Sequence, residues 1–412
     1  MENKEAKLKE YARLLIEVGL NLQKGQTLML SSPVECADFA LLCADAAYDV
    51  GCREVVPDLF DMRLIREKYL RAADEIFDEF PEWKRHFETD YAEAGAASLS
   101  VGGYDPEILS GVDPDRLTRA DRASEKPLER SRHLYMANIV PWCIASLPVP
   151  AWAKKVFPGC PEEEAMEKLW DAIFAAVRIT GDGKAVERWK EHLAVMEARK
   201  NRLNALRFKS LHYTNSLGTD LTVELPEGHL WAAGTSVTPK GQVFVANMPT
   251  EEIFTAPLKT GVNGVVYAAL PLSDSGNIID GFHFVVKDGR IVEYHAEKGE
   301  EFLRHAVEVD ENASYFGEVA LVPYDSVISN MGILFYGSLF DENARCHLAF
   351  GDAYPECIEG GQDMSQEELQ AHGLNHSIQH CDFMIGTADL SIIGTTHEGE
   401  EIPVFVNGNF AL

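Results

Sequence analysis

Positive charge is what this sequence is short of. Its 412 residues carry 37 lysines and arginines against 66 aspartates and glutamates, a formal net charge of −29. That balance repels a phosphate backbone and lacks the basic footprint of a nucleic-acid binder. It tolerates, or even steers, a small substrate bearing a positive amino group, although most of these acids serve as a solubilising surface. Long apolar runs are missing too: stretches such as 138–147 fall well short of the roughly 18 residues of a membrane-spanning helix. The N-terminus, MENKEAKLKEYARLL, opens on charges rather than on a signal-peptide pattern. The expectation is a cytoplasmic protein with neither membrane nor nucleic acid as partner.

Other signatures are equally absent. The eight cysteines form no CxxC pair and no regular spacing, which excludes a zinc knuckle or a secreted disulfide framework and leaves buried free thiols. No GxGxxG or Walker-type loop follows any strand-like run, so nucleotide-cradling chemistry is excluded. The helical zinc signature HExxH is also missing; HEGEE at His397 lacks the second histidine. Neither an internal repeat nor a low-complexity segment is present.

What is there is an ordinary globular composition, 46% hydrophobic and 25% charged, in a chain long enough for two domains. Helical and strand-like patterns alternate through the first half: a helix over 5–20, TLMLSS as a strand, helix 36–50, REVVPDLF as a strand, helix 61–73, AASLSVGG, helix 114–132, then IVPWCIASLP. This is βαβ grammar and predicts an open α/β sheet. Two amphipathic helices follow, in PEEEAMEKLWDAIFAAVRI and over 183–206, and the domain joint is placed at Leu206. Beyond it, strand-like segments recur between Gly, Asp and Asn turns, among them GEVALVPY, ILFYGSLF and DFMIGTADLSIIG, with helices at 299–309 and 365–372. The expected architecture is an N-terminal α/β domain, 1–206, acting as scaffold, lid or dimer contact, and a β-rich α+β catalytic domain, 207–412.

Eight of the 13 histidines lie beyond Ala256, several beside acids. In HSIQHCDF, His376 and His380 would share a helix face, but the β-favouring sequence that follows, interrupted by Gly386 and Gly394, weakens that reading. On an extended chain His380 and Asp382 point the same way, a good metal grip, or simply an imidazole hydrogen-bonded to a core carboxylate. NMPTEEIFTAP presents adjacent Glu251 and Glu252, which face opposite sides of an extended chain; they are either solvated surface or one metal-binding and one proton-accepting carboxylate. Glu318, at the entrance of a buried strand in FGEVALV, costs free energy there unless paired or coordinating. DENARCHLAFGDAY adds Glu342, His347 and Tyr354, whose hydroxyl either stabilises negative charge near a metal or packs on the core with its tip in water.

In order and spacing, NMPTEEIFTAP, FGEVALV, ENARCHLAFGDAY and NHSIQHCDFMIGT resemble the thermophilic-type metalloaminopeptidases, the family of aminopeptidases T and S. The resemblance covers most of the chain and is strongest from about Gly218 onward. It implies a cytosolic homodimeric exopeptidase with two divalent ions, zinc or cobalt, with manganese and magnesium as alternatives. It places the metal ligands on Glu252, Glu318 (bridging), Glu342, His347, His380 and Asp382, and an active-site tyrosine on Tyr354. Glu251 is assigned as general base from its adjacency to Glu252. The substrates implied are peptides with a free N-terminus. Two other readings are a non-catalytic peptide-binding homologue and a dimetal hydrolase of other amides. His376 is then a neighbour of the site or a core residue.

Overall fold

Short apolar runs bounded by turns become the strands of a parallel sheet in the computed structural model, which describes residues 2–103, 105–274 and 277–412. The fold is mixed α/β, with one parallel sheet and further antiparallel sheets. The chain divides into two compact units, Met1–Glu191 with Thr235–Pro249, and His192–Gly234 with Thr250–Leu412.

In the first unit the sheet runs in the order Asn247–Met248, Trp142–Ser146, Ala97–Gly102, Thr27–Pro33 and Glu54–Phe60, every neighbouring pair parallel. Four of these strands are the βαβ segments expected from the alternation of patterns. The fifth comes from a two-residue stretch far along the chain that no local pattern marks. Helices Ala37–Asp49, Met62–Arg71 and Pro114–Met136 occupy the expected segments. The last begins on a local signal: the Asp113 side chain accepts from the Asp115 N–H and Pro114 opens the helix. Two helices, Glu82–Glu93 and Pro150–Val156, add to the expected set.

The second unit is built from antiparallel sheets. A nine-stranded sheet contains the 208–214, 220–224 and 262–267 strands, and a five-stranded sheet runs His380–Met384, His347–Gly351, Phe316–Leu321, Ile253–Thr255, Ala232–Ala233. Side-chain alternation sorts the smaller sheet into two faces. Val319, Leu321, Leu348, Phe350 and Phe383 enter the main core, where Phe383 lies 5.2 Å, centroid to centroid, from Phe284 of the larger sheet. Glu318, His347 and Asp382 necessarily stand on the opposite face.

ILFYGSLF departs from its strand-like appearance. It forms a loop and the short helix Ser338–Asp341. The cause is Asp341, whose carboxylate accepts from the N–H groups of Phe335 (2.8 Å) and Gly337 (3.1 Å) and folds the segment back, stacking Phe335 on Phe340 at 4.7 Å. Those hydrogen bonds replace a β-ladder.

Opposite His380 the smaller sheet requires glycine. Gly351 sits opposite His380 with φ +108°, and a Cβ there would collide with the Gln379 carbonyl oxygen. Gly351→Ala is expected to cost on the order of 2 kcal/mol through backbone strain alone, read as a lowered denaturant midpoint with an unchanged m-value.

Candidate metal centre

The register of the five-stranded sheet assembles the site. Glu318 pairs with Ala349, which pairs with Asp382; His347 lies opposite Ala320 and Met384; His380 lies opposite Gly351. Residues directly opposite one another share a face, so acids and imidazoles far apart in sequence converge on the side away from the core. Small residues between them, Ala320, Ala349 and Gly351, leave the ligand side chains room.

The resulting distances are short. His347 Nε2 is 3.2 Å from Glu252 Oε2, 3.4 Å from Glu318 Oε1 and 4.0 Å from Asp382 Oδ1. His380 Nε2 is 3.3 Å from both Glu318 Oε2 and Asp382 Oδ1. Two trios, Glu252–Glu318–His347 and Glu318–His380–Asp382, each bring their donor atoms within 4.8 Å of one another, and Glu318 belongs to both, one oxygen turned toward each imidazole.

Five of the six proposed ligands are therefore gathered by direct contact. The sixth, Glu342, lies in the short 3₁₀ turn Glu342–Ala344 beside them. It is held well above the ordinary carboxylate range, first by burial and then by the charges of Asp382 and Glu252.

The electrostatics carry the metal test. Burial pushes Glu252 up. It would do the same to Glu318, but hydrogen bonds from His347 and His380 bring Glu318 down to about 2. Burial alone would lower both imidazoles, but hydrogen bonds to and the charges of these acids lift them well above the usual histidine range. Four largely buried acids thus hold protons on their neighbours to balance their charge, and divalent cations would supply the same balance.

Ring orientation points the same way. His347 Nδ1 donates to the Arg345 carbonyl at 3.1 Å and His380 Nδ1 to the Asp352 carbonyl at 2.8 Å. A carbonyl can only accept, so each Nδ1 carries a proton and each Nε2 faces the acids; loss of the Nε2 proton to a metal leaves the tautomer a metal ligand needs. A hard, oxygen-rich donor set with two imidazoles suits zinc, cobalt or manganese.

Of the remaining predicted residues, Tyr354 adjoins this cluster, whereas the Glu251 carboxylate is in contact with His192. The Tyr354 ring lies 4.9 Å from the His380 ring, centroid to centroid. A protonated His380 pulls its hydroxyl pKa down, but burial and the charges of Glu318, Asp382 and Glu342 outweigh that, so it stays a neutral donor. Glu251, 8% exposed, has its Oε2 3.8 Å from His192 Nε2.

Two residues escaped sequence reasoning. Fully buried Asn343 accepts the Glu251 N–H through Oδ1 (2.7 Å), while its Nδ2 donates to the Leu339 carbonyl (2.9 Å) and approaches Glu342 Oε1 (3.4 Å). The only sequence signal was its place inside ENARCH. His192, whose Nε2 donates to the Thr250 carbonyl at 2.8 Å, sits in the amphipathic helix Ala185–Leu206 where nothing marks it.

His376 is not on a helix and does not enter the cluster. It lies in irregular chain before the strand that begins at His380, with Nδ1 2.8 Å from Asp352 Oδ1 and its side chain 45% exposed. The Asp352 hydrogen bond raises its pKa above the usual value. A raised pKa stabilises the fold fully below the unfolded value of about 6.5 and loses that contribution as pH climbs through the folded value. His376→Ala should therefore cost about 0.5 kcal/mol near pH 6, discounted for exposure, and almost nothing near pH 9, as read by urea titration at the two pH values.

Comparison with known proteins finds relatives along the whole chain. The family described as thermophilic metalloprotease (M29) matches residues 4–410. Aminopeptidase AmpS of Bacillus subtilis is 45% identical over 411 residues, covering all of both chains. Aminopeptidase T of Thermus aquaticus is 41% identical over 98% of each chain. The solved structure of wild-type AmpT from Thermus thermophilus superposes with a TM-score of 0.92 at 39% identity, covering 99% of this chain and 100% of that one.

Proposed function

Since the chain belongs to the thermophilic metalloprotease (M29) family and is accordingly a metal-dependent aminopeptidase, we propose that it releases N-terminal residues from peptides at a two-metal centre. Glu252, Glu318, Glu342, His347, His380 and Asp382 would hold the ions, with Glu318 shared between them. The observation that carries this reading is the pair of overlapping donor trios meeting at Glu318. When bound, the ions supply Lewis acidity to the scissile carbonyl and lower the pKa of a coordinated water.

The chain's own groups complete the reaction. Glu251 takes the proton of the attacking water and returns it to the departing amine nitrogen; its adjacency to Glu252, itself in contact with His347, supports the assignment. Tyr354, kept protonated beside His380, donates its hydroxyl hydrogen to the developing oxyanion. Tyr354→Phe is expected to lower kcat about 100-fold, the order found for loss of one such donor, with metal content unchanged, as measured by anilide hydrolysis and elemental analysis on one preparation.

The same reading extends to a cytoplasmic homodimer, which sedimentation equilibrium would check. Among the described residues no helix is long and apolar enough to cross a membrane. The direct test is release of single N-terminal residues from a peptide panel before and after exhaustive chelation. Turnover that survives chelation, or that proceeds equally on N-blocked peptides, rejects the proposal; the latter result would favour a hydrolase of other amides.

A further inference from the structure

Resting on the aminopeptidase reading, we infer that Phe254, with Tyr354, forms the wall against which the side chain of the released residue lies, and that this wall selects apolar N-terminal residues. Phe254 pairs with Ala320, which pairs with His347, so all three stand on the face that carries the acids and imidazoles. At about 4.8 Å per strand, its Cα is roughly 10 Å from that of His347. Glu252, two positions earlier, reaches His347 from the same side of the chain.

The ring of Phe254 meets Tyr354 edge-on at 5.9 Å, and Tyr354 in turn lies against His380. An aromatic surface therefore runs unbroken from Phe254 to a metal-binding imidazole. Its two ring residues are only partly buried, whereas the layer behind them, Ala256, Ala353, Cys357, Ile358, Leu369 and Leu374, is closed.

A surface of this kind is a dead end. Peptide chain continuing past the scissile bond needs an exit and partners for its N–H and C=O groups, and a sealed apolar backing provides neither. The side chain of a terminal residue needs only contact area, which an aromatic ring supplies. The two rings and the layer behind them are themselves apolar contact surface, so burial against them favours an apolar side chain over a charged one.

The test is kcat/KM of the metal-loaded full-length protein on Leu-, Phe-, Gly-, Lys- and Glu-anilides, for wild type, Phe254→Leu and Phe254→Ala. Wild type should favour Leu and Phe. The Leu/Gly and Phe/Gly ratios should fall about tenfold or more in Phe254→Ala, chiefly through KM, with Phe254→Leu between the two. Phe254→Leu nearly conserves shape, so it keeps the test alive if Phe254→Ala does not fold. A uniform change across all five anilides, or a wild-type preference for Lys or Glu, overturns the assignment while leaving the aminopeptidase reading intact. A wild type with no chelator-sensitive N-terminal release overturns both.

Discussion

Glu318→Gln should abolish activity, lowering kcat/KM by about 10³ or more, and leave the protein folded. The exchange keeps size and one carbonyl oxygen but removes the charge that both imidazoles face, at 3.4 Å from His347 and 3.3 Å from His380. Lewis-acid stabilisation by a metal is worth several kcal/mol, and each 1.36 kcal/mol is tenfold in rate. The residue lies in both donor trios, so its loss would weaken both proposed ion sites together. Elemental analysis should show metal falling from about two equivalents toward one or none, with circular dichroism unchanged. Full metal content with full activity in this variant would refute the shared-ligand assignment.

The second large effect separates two histidines four residues apart. His380→Ala removes a donor from one trio and the ring beside Tyr354, and should cost about 10² to 10³ in kcat/KM along with metal affinity. His376→Ala breaks only a half-exposed ion pair with Asp352 and should change kcat/KM less than about threefold, in keeping with the small energy of exposed pairs. Isothermal titration of metal into the stripped variants, run beside anilide kinetics, distinguishes them. The reverse ranking would restore an i, i+4 histidine pair as the metal grip.

The contrast between these histidines shows what was legible in one dimension. A strand repeats every two residues, so His380 and Asp382 had to share a face once the segment was extended, and Glu318 had to be paired once its flanking residues were buried. Those are local consequences of side-chain period and desolvation. The βαβ alternation of the first half was legible for the same reason, since each element declares its own buried face. ILFYGSLF misled because its hydrophobic texture is compatible with either a strand or a folded loop. Asp341 decides the matter through hydrogen bonds to Phe335 and Gly337 that no periodicity records.

By itself, then, the sequence determined most of the longer strands and helices, which side of most strands is apolar, and which polar residues stand where burial demands a partner. The tertiary structure alone decided register: that Glu318 lies level with Ala349 and Asp382, and that His347 and His380 turn Nε2 toward the same carboxylate. It also decided the supports, the carbonyls of Arg345 and Asp352 that fix both imidazole tautomers and the Asn343 amide that ties Glu251 beside Glu342. The physical reason is range. Propensity and periodicity act over a few residues, whereas a cluster of four acids and two imidazoles is stable only when strands distant in sequence bring opposite charges to within about 4 Å, where a low-dielectric setting makes their attraction decisive.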